Sequence, residues 1–160
     1  MQHFTVDALR ASFINTSLRE RKAIPFPDLD AVDWDALDFL GWRDPKQPLV
    51  AYVVAEIEGE PVGILLRQAE RTPRVQAQCS WCEDVQLPHP VVFFGAKRTG
   101  DAGRRGDTIG TLVCAGLECS ANVRKLPTLA YVGFDRDAER ERRILALREH
   151  VGNFIVNLRG

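Results

Sequence analysis

The chain contains four cysteines, and they fall into two short pairs: Cys79-Ser-Trp-Cys82 and, after an intervening stretch, Cys114-Ala-Gly-Leu-Glu-Cys119. Two close pairs at this separation predict one tetrahedral metal site, because zinc favours soft thiolates at about 2.3 Å and each pair supplies two corners. Buried apolar cysteines would not need paired spacing. Two disulfides would need an oxidising compartment, to which nothing in the chain points. The spacing therefore implies one structural Zn2+ per chain, held by Cys79, Cys82, Cys114 and Cys119. Four protein ligands close the coordination shell and leave no position for water or substrate.

The two pairs differ in kind. Cys79 and Cys82 are three apart, as in a knuckle where backbone amides also point at the sulfurs. Cys114 and Cys119 are five apart and would diverge by roughly 140° on one continuous helix, so they must straddle a helix start. Gly116 is expected to permit the turn, Cys114 to close a strand, and Cys119 to fall in the first turn of a helix of about residues 120–126 that Pro127 stops. Between the pairs, Val91-Val-Phe-Phe and Thr108-Ile-Gly-Thr-Leu-Val are β-rich runs separated by the Gly- and Arg-rich stretch from Thr99 to Gly106. Knuckle, hairpin and helix in that order describe a treble clef.

Elsewhere the pattern is mixed. Val6, Leu9, Phe13 and Ile14 recur at helical spacing, and Ser17-Leu-Arg-Glu20 has the form of a capping box, so one or two short helices are expected over residues 5–24, ending at Pro25 and Pro27. The aspartates between Asp28 and Asp44 do not make a calcium loop, because Asp33 and Phe39 stand where glycine and glutamate are required. Asp33 is read instead as the N-cap of a short helix burying Trp34 and Leu37. Phe39 to Pro45 reads as a turn with aromatic anchors, Trp42 among them as a core plug. Val50 to Ile57 and Val62 to Leu66 form a hairpin. Leu129 to Phe134 is expected to add a strand. The last helix starts at Asp135 or Asp137 and carries Ile144, Leu147, Val151, Phe154 and Leu158 on one face. On its other face Glu139 and Arg143 are spaced for an i,i+4 pair, among Arg140, Arg142 and Arg148. The fold class is α+β: β-hairpins plus a treble-clef zinc finger, with short N-terminal helices and a C-terminal amphipathic helix. Residues 1–45 read as a helical extension and 46–160 as the β-rich finger domain, the two forming one unit.

A formal charge of −1 over 160 residues argues against wholesale binding to nucleic acid or to an anionic membrane. The amino terminus resembles no signal peptide and no window is apolar enough to span a bilayer, which predicts a cytoplasmic protein with reduced thiols. No nucleophile elbow, P-loop, dinucleotide fingerprint or metalloprotease helix is present. His3, His89 and His150 are scattered, so the expectation is a protein that is not an enzyme and has no small-molecule substrate. Cys-x-x-Cys also occurs in thiol oxidoreductases, but a redox pair does not call for a second pair downstream. The segment expected to touch a partner is the tip Lys97 to Gly106, a mobile cationic loop on a rigid base. Lys97, Arg98, Arg104 and Arg105 are its candidates, with Trp81 in the knuckle.

These residues carry a resemblance. Cys79-Ser-Trp-Cys82, the hairpin, Cys114-Ala-Gly-Leu-Glu-Cys119 and the closing helix through Val151, Phe154 and Leu158 are similar to the C-terminal treble-clef zinc-finger (FBP) domain of the elongation factor G-binding proteins, the FusB-type family, over about residues 39–160. The resemblance implies a cytosolic zinc protein that binds elongation factor G. In the family's resistance members, that binding helps the factor leave a ribosome on which fusidic acid has trapped it. Those members carry a sizeable N-terminal helical domain where this chain has about forty residues. The alternative function is a zinc finger that binds nucleic acid, ribosomal RNA in particular, through the Arg-rich tip and the terminal helix.

Overall fold

Val50-Ala-Tyr-Val-Val-Ala is apolar at every position, so as a strand it has no side to give to water. The structure, a computed structural model describing residues 1–70, 77–84 and 90–159, buries it on both sides. Ala51, Val53 and Ala55 face one core, while Val50, Tyr52 and Val54 face a second. This strand, β2 (Val50–Ile57), follows β1 (Phe39–Arg43) and precedes β3 (Glu60–Gln68), β4 (Val91–Lys97) and β5 (Thr108–Cys114). All five form one antiparallel meander in sequence order. The expected hairpin is β2–β3, and its two-residue turn, Glu58-Gly59, has both φ angles positive (53° and 83°), the conformation that matches the twist of the flanking strands.

The segment from Phe39, expected as a turn, is instead the edge strand β1. Its side chains alternate between the cores, Phe39 to one and Leu40 and Trp42 to the other, a period of two that fits a strand better than a turn. Asp44 then makes the turn: its carboxylate accepts from the amides of Lys46 (2.8 Å) and Gln47 (3.0 Å) and from the Tyr52 hydroxyl (2.9 Å). Burial alone would raise the Asp44 pKa, but these three donors outweigh it and hold the carboxyl below its ordinary value.

Helices α1 (Val6–Ala11) and α2 (Leu18–Ala23) stand where the periodicity put them, and the Ser17–Glu20 capping box closes reciprocally. The segment that joins them, residues 12–15, runs along the part of β3 that β4 does not pair. The amide of Ile14 bonds the Gly63 carbonyl (2.9 Å) and the Gly63 amide bonds the Ser12 carbonyl (3.1 Å). The Asn15 side chain then pairs with both backbone groups of Leu65, at 2.8 and 2.9 Å, and only at Arg67 and Gln68 does β4 take over. Asp33 makes no capping bond to the 3-10 turn it precedes; Asp28 caps the turn before it.

The first core lies under α5 (Arg136–Arg159), whose Ile144, Leu147, Val151, Ile155 and Leu158 are buried against the sheet and both cysteine pairs. Phe154, placed on that stripe by its spacing, is half-buried at its margin and Ile155 takes the central position. Asp135 caps the helix through the amides of Asp137 and Ala138. Glu139 pairs with Arg142 (2.7 Å), not with Arg143, which reaches Asp84 (3.3 Å). Residues 129–134 form an irregular stretch with a turn, not a strand, with Leu129, Tyr131 and Val132 exposed.

Candidate metal centre

Cys79 and Cys82 flank a tight turn closed by the Glu83 amide on the Cys79 carbonyl (2.9 Å) and pinned to the sheet by the Ser80 amide on the Leu112 carbonyl of β5 (2.7 Å). Cys114 is the last residue of β5 and Cys119 the first of α4 (Cys119–Arg124), as the five-residue spacing required. The left-handed residue that makes this second turn is Leu117 (φ 60°) and not Gly116. The Glu118 carboxylate covers Gly116 instead: a Cβ there would lie 2.5 Å from Oε2.

All four sulfurs lie within 4.8 Å of one another and all four residues are buried. Cys79 and Cys119 are 3.7 Å apart and Cys82 and Cys114 3.6 Å. These separations exclude a disulfide, whose S–S bond is about 2.05 Å. They match the edge of a tetrahedron with metal–sulfur bonds of about 2.3 Å, which is roughly 3.8 Å. N–H···S contacts from the Cys82 amide to Cys79 (3.5 Å) and from the Asn122 side chain to Cys114 (3.6 Å) would spread thiolate charge into the protein. Thiols packed this closely compete for ionisation. Hydrogen bonds from Cys114 and then Cys119 hold the Cys79 thiol far below its ordinary pKa, while contacts with Cys114 and then Cys79 push Cys119 far up. A divalent cation among four thiolates removes that competition by displacing the protons. Geometry and donor set therefore fit a soft tetrahedral ion.

Residues without a sequence signature hold the two halves together. The Asp38 carboxylate, fully buried just before β1, takes Arg124 of α4 and Arg148 of α5 (2.8 Å), and its amide bonds the Ser120 hydroxyl (3.0 Å). Arg43 of β1 lies over the Phe94 ring (4.7 Å) and donates to the Ala115 carbonyl between the second pair of cysteines (2.8 Å). Burial lowers the Arg43 pKa, an effect the Glu118 charge opposes.

The five candidate partner residues are not brought together. Trp81 is 2% exposed, packed edge-on against Phe39 and Phe154 at ring distances of 5.3 and 5.8 Å, so it serves the core and offers no surface. The cations lie at the far end of the β4–β5 hairpin, where Lys97 pairs in register with Thr108 while Val91 pairs with Cys114 at the metal end. There the expected mobile tip is a short helix, α3 (Gly100–Arg104), fastened to the end of α5. The Thr99 amide and the Arg98 guanidinium cap the Leu158 and Asn157 carbonyls (3.0 and 2.7 Å). Gly103 is demanded by this closure, since a Cβ would meet the Arg98 carbonyl at 1.8 Å. Arg104 and Arg105 pair with Asp101 and Asp107, and Lys97 is exposed. His150 bonds the Trp81 carbonyl (3.0 Å) and His3 lies against Trp34; His89 falls outside the described residues.

A knuckle pinned to the sheet, a β-hairpin and a helix that opens on the fourth cysteine, with four converging thiols, define a treble-clef metal-binding protein. The chain belongs to the FBP C-terminal treble-clef zinc-finger family, whose model matches residues 8–158. The match begins within α1 and includes α2, and so reaches further toward the amino terminus than the resemblance from residue 39 onward. Among solved structures the fold resembles that of the fusidic acid resistance protein FusC, with a TM-score of 0.58 at 18% sequence identity over 76% of this chain. The chain spans about half of FusC, 53% of its length. No curated protein matches the sequence. Among the described residues, no helix is long and apolar enough to cross a membrane.

Proposed function

We propose that this protein is a non-enzymatic, zinc-containing cytoplasmic adaptor that binds translation elongation factor G and modulates its interaction with the ribosome. The observation that carries the reading is the family match over residues 8–158 together with the four converging thiols that the finger requires. The FusC likeness adds a protein of the same fold in fusidic acid resistance. The zinc is structural: four thiolates fill its shell, so it fixes the clef and leaves recognition to the surface around it.

The surface best suited to a protein partner is the loop between α4 and α5. Leu126, Leu129, Tyr131 and Val132 are exposed there, with Val132 wholly so, and contiguous exposed apolar groups mark protein-binding sites. Charges on the neighbouring helix are locally balanced, Arg140 by Asp137, Arg142 by Glu139 and Arg143 by Asp84. A binder of this kind alters elongation factor G only as far as it prefers one of the factor's conformations. Titration of purified elongation factor G against the zinc-loaded chain tests the proposal. Saturable binding that weakens on Tyr131→Ser with Val132→Ser is expected; no binding to elongation factor G removes the reading.

A further inference from the structure

The N-terminal helices cover the outer face of the sheet only as far as β3. Beyond it, strand register places Phe93, Gly95 and Lys97 of β4 beside Leu112, Gly110 and Thr108 of β5, with Arg67 of β3 next to Gly95. Phe93 keeps 44% of its surface exposed. A Cβ on Gly110 would lie 2.0 Å from the Phe93 ring, so the ring reaches across to β5 in space that any other residue there would fill. Alongside is an open groove of about 330 Å³ whose lining includes Gly95, Arg67, Lys97 and Thr108. Glu20, its one carboxylate, pairs with Arg67 at 3.0 Å. Among the described residues Lys97 has no ion-pair partner, so the groove carries a net positive charge.

We propose that this face binds single-stranded nucleic acid, one base stacking on Phe93 while the phosphates pass between Arg67 and Lys97. An exposed aromatic on a strand offers a base a stacking partner whatever the sequence, and a cationic groove beside it tracks the backbone. Glycine at positions 95 and 110 keeps the surface low enough for the strand to lie on it. The platform differs from the tip arginines Arg98, Arg104 and Arg105 and from Arg142 and Arg143 of the terminal helix, which pair with neighbouring carboxylates and a carbonyl. It is also independent of the elongation factor G surface at the α4–α5 loop.

The test is fluorescence anisotropy of labelled oligouridylate and oligothymidylate octamers with the zinc-loaded full chain, across 25–150 mM salt (about a sixfold range). Two phosphate contacts predict that log K falls against log salt with a slope of about −1.4. Phe93→Ala is expected to weaken binding about fivefold or more, the low end for losing one stacked base. Lys97→Ala is expected to reduce the slope by about 0.7. Phe93 and Lys97 both lie outside the core, and unchanged zinc content and melting establish that the variants fold. Binding of the ribose octamer alone would assign the ligand to RNA; equal binding would assign it to single strands of either sugar. The proposal is overturned if neither octamer binds at the lowest salt, or if Phe93→Ala binds as the parent does. It is equally overturned if Phe93→Ala abolishes elongation factor G binding while no octamer binds.

Discussion

On one face of the sheet Phe39, Val53, Ile64 and Phe94 share a core with α5, Trp81 and all four cysteines. On the other, Leu40, Tyr52, Val54 and Leu65 pack with Phe13, Ile24, Leu29 and Trp34, with no metal ligand among them. The second face is closed largely by local devices, a capping box and an Asx turn at Asp44, and by an asparagine that stands in for a strand beside Leu65. The first is closed by contacts far apart in sequence, which four converging thiols and one buried carboxylate draw together. β2 and β3 serve both cores. The difference teaches that the outer face can tolerate small losses one at a time, whereas the inner face rests on a few polar centres whose removal reaches the whole fold.

The sharpest way to break this contrast is Cys119→Ser. Structural zinc in small fingers contributes on the order of 10 kcal/mol, so the variant should lose its metal and melt in one transition that takes the outer core with it. Unchanged melting would place the inner face's stability elsewhere. Next in size is Asp38→Ala, which leaves Arg124 and Arg148 without their buried partner. Breaking a buried pair costs about 3–5 kcal/mol, and the low end applies because both arginines reach solvent, with 26% and 54% of their side chains exposed. Chemical denaturation measures it; a loss below about 1 kcal/mol would make the clamp ornamental, no better than a surface ion pair.

The cysteine site was legible because metal ligation needs particular residues at particular intervals, and short helices because caps and periodicity are local. Asp38 was not legible: its partners lie 86 and 110 residues away, and nothing beside an aspartate in sequence announces a distant arginine. Residues 129–134 misled for the opposite reason. Their β-branched and aromatic composition suits a strand, yet they pair with none of the five strands of the sheet. At Arg98 to Gly106 the glycines suggested freedom of movement, whereas Gly103 is there to let the chain close on itself. Trp81 illustrates the same limit, since a lone tryptophan in a knuckle reads equally as anchor or as core.

Smaller effects sharpen the outer face. Because the Asp44 carboxyl is held below its ordinary value of 3.8, its stabilisation is fully present above about pH 4 and is lost as pH falls through the folded value. The stability difference between parent and Asp44→Asn should therefore be constant from about pH 7 down to pH 5 and shrink in more acid solution, a comparison in which acid release of metal affects both proteins alike. A difference that grows in acid would contradict the hydrogen-bonding account. Smallest of all, Ser17→Ala removes one cap from a six-residue helix with no buried residue and should cost about 1 kcal/mol without altering metal content.

The central claim, that Cys79, Cys82, Cys114 and Cys119 together hold one zinc ion, is tested most directly by metal analysis of the purified chain combined with X-ray absorption at the zinc edge. The account predicts one zinc per chain in a shell of four sulfurs at about 2.3 Å. Substoichiometric metal, oxygen or nitrogen in the shell, or cysteines recovered as disulfides would contradict it.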